Sequence, residues 1–334
     1  MFSVSGWPLW GLIVLFVAGL ILIVKGGDLF VDAATWIAEV SGIPHFIIGA
    51  TVVSIATTLP ELLVSCFGAA RATGEMAASG NALAIGNAVG SVTANTGLIM
   101  GISVLCIPAI VKRSQYAFKS ILLILATVIL YLSSLGNTFS IFGSFVLLLI
   151  FLIATGESIY TAKKEQSIAE ERNSYEKKEI PLNIFKFIFG AAGIVFGAEF
   201  LVDSATELAV LSGISQAVIS ATIVAVGTSL PELVTTVTAI VKKQSSLSVG
   251  NIIGANLIDI AIILPICSFI SGNQLTACPQ NKFIDIPICL AVLVIGVLPM
   301  LIRGKFSRWQ GILLLTVYLA YVVFICFFNP FPAI

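Results

Sequence analysis

Long apolar runs recur along the whole of this 334-residue chain. Each run contains roughly 20 residues, the length at which a helix spans the hydrocarbon core of a bilayer. Counting the runs predicts an all-α polytopic membrane protein with about ten transmembrane helices. Gly or Pro interrupts several runs, as expected for helices that line a polar cavity. We place the spans at 8–25, 44–70, 80–106, 116–135, 138–161, 183–210, 214–241, 246–272, 283–302 and 309–328.

The composition agrees with a membrane protein. Hydrophobic residues make up 58% of the chain and charged residues only 10%, whereas a soluble domain has about 25% charged residues. The six cysteines show no C-x-x-C spacing and fit small apolar packing positions. Neither H-E-x-x-H nor G-x-S-x-G occurs. We therefore expect no enzyme activity, no cofactor and no nucleic-acid partner.

Two polar patterns occur twice inside the apolar runs. The first is GATVVSIATTLPELLVS at 49–65, which returns as SATIVAVGTSLPELVTT at 220–236 with an offset of 171. The second is GNAVGSVTAN at 86–95, which returns as GNIIGANLID at 250–259 with an offset of 164. A repeat that places a carboxylate within an apolar run in both halves is typical of secondary transporters.

The basic residues predict the orientation. With the N-terminus outside and ten spans, only Arg71 and Lys282 of the 17 Lys and Arg residues lie on the outer side. Both termini are then outside. Because five spans per half is an odd number, the two halves enter the membrane in opposite senses and form inverted repeats. We assign the first five-helix repeat to 1–162, a charged cytoplasmic linker to 163–181 and the second five-helix repeat to 182–334.

Three acidic residues lie deep within the runs: Glu61, Glu232 and Asp259. An ionised side chain at the bilayer centre costs about 2.5–3.5 kcal/mol on insertion scales. We expect no Lys or Arg at comparable depth to offset these charges. Either protons or mobile cations must then neutralise the carboxylates, which favours a cation transporter.

The neighbours of these acids supply further oxygen atoms. Pro60 and Pro231 each remove a backbone donor, which frees carbonyls in the preceding turns, near 54–57 and 225–228. A threonine lies four residues before each glutamate, so hydroxyl and carboxylate share a helix face. Ca²⁺ takes six to eight oxygen ligands and Na⁺ also prefers oxygen, whereas soft metals prefer Cys or His.

The segments ATTLPELLVS and GTSLPELVTT, each followed by GNxxG[SA]xxx[ND], resemble the two α-repeats of sodium/calcium exchangers, within the cation/Ca²⁺ exchanger superfamily. The resemblance implies ten helices, an outside N-terminus and a central group of ion sites. It implies that Glu61, Glu232 and the carbonyls of Thr57 and Thr228 hold Ca²⁺. The other implied ligands are Ser91, Ser229 and the Ala225 carbonyl at one flanking Na⁺ site, Thr58, the Ser54 carbonyl and position 255 at the other, and Asn95 and Asp259 between them.

The chain departs from the family pattern at several positions. Position 255 is Ala where the pattern has Ser, so one flanking Na⁺ site lacks a hydroxyl ligand. Ala56 replaces Gly, Thr58 replaces Ser, and Val92 replaces Asn. These departures affect the residues expected to determine which ion drives Ca²⁺ transport and how many of these ions are exchanged. Asn87 and Asn251 we interpret as helix-packing residues rather than ligands.

We expect a secondary active antiporter of the inner or plasma membrane that exchanges Ca²⁺ for Na⁺ by alternating access. Competition of the two ions for shared oxygens would make the exchange obligatory, with the first and sixth spans moving past a fixed core. A Ca²⁺/H⁺ exchanger of the same fold and a cation channel are the alternatives. The expected partners are inorganic cations and the lipid bilayer, and the protein could act as a monomer.

Overall fold

The computed structural model describes residues 4, 6–71, 77–106, 113–136, 139–169, 179–212, 227–272 and 275–328. Apart from short turns and connections these residues are helical, and no strand occurs among them. The helices are α1 (Leu9–Ser41), α2 (His45–Ile48, continued at Gly49–Val53 and Ser54–Thr57), α3 (Leu59–Arg71), α4 (Ala77–Ala94, continued at Asn95–Met100 and Gly101–Cys106), α5 (Arg113–Ser134), α6 (Ile141–Ala169), α7 (Ile180–Leu211), α8 (Leu230–Val241), α9 (Ser245–Ile258, continued at Asp259–Ile263 and Leu264–Ile270), α10 (Asn281–Asp285, continued at Ile286–Arg303) and α11 (Arg308–Phe328).

The number of spans agrees with the prediction. Eight of the described helices are long and apolar enough to cross a bilayer, and α2 with α3 forms a ninth span that bends by 49°. Helix α8 is a shorter apolar helix, and the first part of its predicted span, 213–226, lies outside the described residues. The protein is therefore an all-α polytopic membrane protein.

Helix α1 is much longer than the predicted span 8–25, since it has 33 residues and ends before Gly42, whose φ is 67°. The predicted span ends at Lys25, shortly before Asp28 and Asp32. In the structure both carboxylates form ion pairs with Lys242, which follows α8. The Lys242 Nζ lies 3.4 Å from Asp28 Oδ1 and 2.7 Å from Asp32 Oδ1. The helix contains no proline between Leu9 and Ser41, and it ends where Gly42 adopts a positive φ.

Helices α1 and α7 pack with their backbones in contact. A Cβ atom at Gly19 would lie 2.9 Å from the Gly197 carbonyl oxygen, and one at Gly26 would lie 2.8 Å from the Gly190 carbonyl oxygen. The offset of 171 relates Gly19 to Gly190 and Gly26 to Gly197, so the glycines pair crosswise. Crosswise pairing of repeat-related positions is the arrangement expected of inverted repeats.

Helices α4 and α9 form the centre of the protein. Helix α9 is buried along almost all of its length and packs against α2 and α8. Its glycines allow close approach to α2. A Cβ atom at Gly250 would lie 2.2 Å from the Phe46 carbonyl oxygen, and one at Gly254 would lie 2.5 Å from the Ala50 carbonyl oxygen and from Ser54 Oγ. The G-x-x-x-G spacing thus brings the first pattern of one repeat, on α2, against the second pattern of the other repeat, on α9.

Helix α10 contains a proline whose missing donor is replaced by another helix. Pro299 cannot donate to the carbonyl of Ile295, four residues earlier. The Gln310 amide on α11 donates to this carbonyl at 3.0 Å and to that of Gly296 at 2.7 Å. The Tyr116 hydroxyl on α5 donates to the Gly296 carbonyl at 3.2 Å. These bonds tie α5, α10 and α11 together on one side of the core.

Replacing Gln310 with Ala should destabilise the protein by about 1–3 kcal/mol, because the partly buried Ile295 carbonyl and the buried Gly296 carbonyl would each lose a donor. Thermal unfolding in detergent measures the effect. In a Pro299→Ala background the helix can supply its own donor, so the same substitution should cost less. An equal cost in both backgrounds would contradict this explanation.

Replacing Gly254 with Ala should destabilise the protein, because the new methyl group would overlap backbone atoms of α2. Overpacking of this kind typically costs about 1–3 kcal/mol. Gly156→Ala is the matched control, since it also lies inside a helix but is exposed with nothing within 4 Å of its added Cβ atom. The control should keep or raise the midpoint of thermal unfolding. A similar loss of stability in both variants would rule out the packing argument.

Candidate cation-binding site

The candidate site lies around two helix breaks at repeat-related positions. Thr58 has φ −85° and ψ 4°, and Ser229 has φ −86° and ψ 5°. Each break is followed by a Leu-Pro-Glu segment, so Glu61 and Glu232 lie in the first turn of α3 and α8. Positions 58 and 229 are separated by the repeat offset of 171. Their near-identical dihedral angles show that both repeats have the same backbone conformation at the break.

The breaks leave several carbonyls without a described backbone donor, among them those of Thr57 and Thr228. The Thr58 amide donates to the Ser54 carbonyl and the Leu62 amide to the Thr58 carbonyl, and no described amide reaches the Thr57 carbonyl between them. In the second repeat the Ser229 carbonyl is paired, whereas no described amide reaches that of Thr228. The prediction of freed carbonyls thus holds for both threonines.

The prediction does not hold for the Ser54 carbonyl. It accepts from the Thr58 amide at 3.0 Å, lies 2.7 Å from Thr58 Oγ1 and lies 3.4 Å from Thr57 Oγ1. The hydroxyls of Thr57 and Thr58 turn back onto the preceding turn and, with the Thr58 amide, occupy this oxygen. This is the behaviour of Ser and Thr side chains inside helices.

The two glutamates are buried and converge. Their side chains are 1% and 0% exposed, for Glu61 and Glu232 respectively. Both carboxylate oxygens of Glu61 lack a hydrogen-bond partner. For Glu232, Oε1 lies 3.1 Å from Thr58 Oγ1 of the other repeat and Oε2 has no partner. The Thr58 contact places Glu232 beside the helix break that precedes Glu61. Carboxylates from both repeats therefore share one interior.

The second polar pattern adds two more oxygen-bearing groups. Helices α4 and α9 each change to π-helical geometry at repeat-related residues, Asn95 and Asp259. Such π-helical turns are frequent at functional sites. The Asn95 Oδ1 atom and both carboxylate oxygens of Asp259 have no hydrogen-bond partner, although both side chains are buried. The local geometry and the unpartnered oxygens coincide at the same two positions.

Hydroxyl groups complete the set. Ser91 and Ser229 are buried, and neither hydroxyl has a hydrogen-bond partner. Ala255, the position related to Ser91, is fully buried and contributes only a methyl group. Ala225, the remaining predicted ligand, lies outside the described residues.

Two asparagines that sequence reasoning treated as packing residues lie at the crossing of the repeats. The Thr57 hydroxyl donates to Asn251 Oδ1 at 3.3 Å, and the Thr228 hydroxyl donates to Asn87 Oδ1 at 3.4 Å. Each motif threonine thus contacts the asparagine of the other repeat. The signal that could have identified them is their repetition at the offset of 164 within both copies.

Among the described residues, no basic side chain pairs with these carboxylates. Ion pairs that are present join Lys242 to Asp28 and Asp32, and Lys119 to Glu157, and none of them includes Glu61, Glu232 or Asp259. Lys119, one of the bases that the orientation predicts on the cytoplasmic side, has a side chain that is only 2% exposed. Its charge is nevertheless matched by Glu157 on α6 and lies over the Phe46 ring, so it does not neutralise the central acids.

The donor set suits a hard cation rather than a fixed metal centre of acidic or sulfur ligands. In the described residues no group of three or more His, Cys, Asp or Glu side chains could hold a single metal ion. A cation at this site would therefore need hydroxyl, amide and carbonyl oxygens beside the carboxylates. Ca²⁺ accepts such a mixed oxygen shell.

Comparison with known proteins agrees with this geometry. The sodium/calcium exchanger protein family matches residues 11–159 and 182–327. The uncharacterized membrane protein MJ0091 of Methanocaldococcus jannaschii is 36% identical over 308 residues, which cover 91% of this chain and 94% of that protein. The sodium/calcium exchanger MaX1 of Methanosarcina acetivorans is 30% identical over 343 residues, covering 91% and 95%.

Solved structures show the same fold. The sodium-calcium exchanger NCX_Mj, soaked with 10 mM Na⁺ and no Ca²⁺, matches with a TM-score of 0.78 at 30% identity, covering 96% of this chain and 100% of that chain. The same exchanger soaked with 2.5 mM Na⁺ and 10 mM Sr²⁺ gives a TM-score of 0.79 at 30% identity, with the same coverage. Sequence and structure agree over nearly the whole length, and this chain belongs to the sodium/calcium exchanger family.

Proposed function

We propose that this protein is a secondary active antiporter that exchanges Ca²⁺ for Na⁺ by alternating access. One observation carries the proposal. Buried oxygens without hydrogen-bond partners gather from both repeats, and no basic side chain neutralises them. The atoms are both carboxylate oxygens of Glu61 and of Asp259, Glu232 Oε2, Ser91 Oγ, Asn95 Oδ1 and Ser229 Oγ. Leaving such groups unpaired is costly, and a transported cation would satisfy them.

In this proposal Ca²⁺ is bound by Glu61 and Glu232 together with the carbonyls of Thr57 and Thr228. Ser91, Ser229 and the Ala225 carbonyl form one flanking Na⁺ site, while Thr58 and the Ser54 carbonyl form the other. Asn95 and Asp259 lie between the two. The unpartnered carboxylate and hydroxyl atoms support this assignment, as do the two threonine carbonyls that no described amide reaches.

Exchange follows from shared ligands. Two glutamates balance the charge of one Ca²⁺ or of two Na⁺ ions, and they cannot hold both loads at once. Because unpaired carboxylates are costly in the membrane interior, a site without cations would rarely complete the transport cycle. The site residues of the described part of the chain, apart from the half-buried Thr228, are almost completely buried, which supports alternating access over a continuous conducting pore. Helices α1 and α7, which pack on each other, are the proposed moving pair.

A Ca²⁺/H⁺ exchanger is the second candidate, and it rests on the second flanking Na⁺ site. Ala255 supplies a methyl group there, and the Ser54 carbonyl already accepts hydrogen bonds from Thr58. This site is therefore poorer in available oxygens than its repeat-related counterpart. Closely spaced carboxylates titrate as a coupled group, so proton coupling is chemically feasible.

We further propose the cellular arrangement. The protein lies in the inner or plasma membrane with both termini outside and the charged linker 163–181 in the cytoplasm. The two inverted repeats are 1–162 and 182–334. The asymmetric distribution of Lys and Arg supports this orientation.

Ca²⁺ uptake into sealed vesicles should be driven by an outward Na⁺ gradient and not by a pH gradient. The purified protein, reconstituted and assayed with each gradient in turn, provides the measurement. Glu232→Gln should abolish uptake, because one of the two balancing charges is lost, while the thermal unfolding midpoint stays close to that of the parent. Glu39→Gln, at an exposed carboxyl of α1, is the control and should transport normally.

A response to the pH gradient alone would favour the proton-coupled candidate. Ca²⁺ flux without any coupled gradient would indicate a channel. Normal exchange by Glu232→Gln would overturn the site assignment.

Replacing Ala255 with Ser should raise the apparent affinity for Na⁺ several-fold, since it restores a hydroxyl ligand beside Thr58. The Na⁺ dependence of Ca²⁺ exchange in vesicles measures the effect. Ala255→Cys is the matched control, because Cys has a volume similar to that of Ser but its sulfur is a poor ligand for Na⁺. This variant should leave the Na⁺ dependence unchanged. An identical Na⁺ dependence in the parent and the Ser variant would contradict the assignment of this position.

A further inference from the structure

Lys242 joins the core to one of the two helices that are proposed to move. It directly follows α8, the helix that carries Glu232. Its Nζ lies 2.7 Å from Asp32 Oδ1 and 3.4 Å from Asp28 Oδ1, both on α1. The same Nζ donates to the Asp28 carbonyl oxygen at 3.0 Å. One base on the core therefore faces two carboxylates of the proposed moving pair.

Helices α1 and α8 are in close contact beside this ion pair. A Cβ atom at Gly27 would lie 2.9 Å from Val234 Cγ1 and 3.0 Å from Thr238 Oγ1. Thr238 precedes Lys242 by four residues, so the two side chains share one face of α8. At Gly27 no side chain of α1 stands between the two helices that a shift along the helix axis would have to carry past α8.

The two carboxylates are spaced for such a shift. Asp28 and Asp32 lie one helical turn apart, about 6 Å along the axis of α1. A shift of α1 by one turn along its chain direction brings Asp28 to the present level of Asp32, so Lys242 keeps a partner. One-turn shifts between packed elements are a known form of conformational switching.

The exposure of these groups suits a contact that must also be released. The side chain of Lys242 is 25% exposed, and those of Asp28 and Asp32 are 48% and 55% exposed. Ion pairs at such positions contribute little individually. They would bias the position of α1 without locking it.

The other repeat carries the same three charges. Three pairs of residues share the offset of 171 and the sign of the charge: Lys242 and Arg71, Asp28 and Glu199, and Asp32 and Asp203. Arg71 is one of the two bases that the orientation places on the outer side, against the general distribution of Lys and Arg. Its side chain lies outside the described part of the structure. The repetition gives this base a role other than setting the topology.

The packing of α1 on α7 relates the two ends. These helices run antiparallel, as their crosswise glycine contacts show. If they move together, the shift that brings Asp28 to the present level of Asp32 also brings Asp203 to the present level of Glu199. Inverted repeats require the same order, because the two repeats exchange their arrangements between the two access states.

We propose that Lys242 is a positioning residue that guides α1 along the core, pairing with Asp32 in the described state and with Asp28 in the opposite access state. This inference rests on the proposed alternating access. Asp32 belongs to the described state because its carboxylate is the nearer of the two to Nζ. The same alternation at the outer end would use Glu199 in the described state and Asp203 in the opposite one.

The test compares Asp32→Asn with Asp28→Asn in the full-length protein. Asp32→Asn should shift the equilibrium toward the opposite state, and Asp28→Asn should shift it toward the described state. Each change in the ratio of the two states should be about two- to five-fold, as expected for one partly exposed ion pair. Glu199→Gln should act like Asp32→Asn, and Asp203→Asn should act like Asp28→Asn.

Pulsed electron paramagnetic resonance measures the position of α1 without any transported ion. Spin labels are attached after Trp10→Cys on α1 and Tyr160→Cys on α6, in a background without the native cysteines. Both positions are exposed, 71% and 69% respectively, and they lie toward opposite ends of their spans. A one-turn shift of α1 moves its label about 6 Å toward the level of the other label. In nanodiscs without cations, Asp32→Asn should therefore increase the population at the shorter distance, and Asp28→Asn should decrease it.

Two kinds of control separate this pairing from general effects of charge. Glu39→Gln and Lys243→Gln each remove one charge near the same end of these helices and should leave the distances unchanged, since neither residue forms an ion pair with a described residue. In a Lys242→Gln background, neither aspartate substitution should change the ratio of the two states any further.

Sidedness of transport gives a second readout. The apparent affinity for an ion at one face falls when the state open to that face is less populated. Asp28→Asn and Asp32→Asn should therefore change the KM for Ca²⁺ at each face in opposite directions. Attraction of cations to the mouth of the site by both carboxylates would instead change the KM in the same direction in both variants.

Shifts of the same sign in the two aspartate variants, no shift, or shifts that persist without Lys242 would overturn the proposal. The distance measurement does not depend on which ion is transported. Absence of Ca²⁺ exchange in the parent would therefore count against the proposed function without deciding how α1 is guided.

Discussion

The structure depends on carboxylates that are buried in the membrane interior without a basic partner. Glu61, Glu232 and Asp259 come from both halves of the chain, and each is at most 1% exposed. Five of their six oxygens have no hydrogen-bond partner. The ion pairs of the described residues lie elsewhere, at Lys119 and Lys242. A membrane protein can keep such a group only if something that enters and leaves balances its charge.

The fold brings these groups together through breaks in otherwise regular helices. Near-identical breaks at Thr58 and Ser229 begin the short helices that carry the glutamates. Matching π-helical turns begin at Asn95 and Asp259. Glycines of α9 let its backbone approach α2 closely enough for the two patterns to meet. The long helices α1 and α7 pack on each other and carry none of these three carboxylates.

The sequence predicts most of this arrangement because its signals are local and repeated. Apolar runs define the spans, and the Pro-Glu pairs mark the breaks. Other features depend on contacts between distant residues. Two of them are the ion pair between Asp32 and Lys242 and the burial of Lys119 against Glu157 on the next helix. The hydrogen bonds that occupy the Ser54 carbonyl depend on rotamers of two neighbouring threonines. No hydrophobic pattern encodes them.

Infrared difference spectroscopy of the purified protein with and without Ca²⁺ tests the central claim most directly. The account predicts that Ca²⁺ changes the carboxylate stretching bands, and that the change disappears in a Glu61→Gln/Glu232→Gln variant that remains folded. Na⁺ added at high concentration should reverse the change in the parent protein. Carboxylate bands that do not respond to Ca²⁺, or that respond equally in the double variant, would contradict the account.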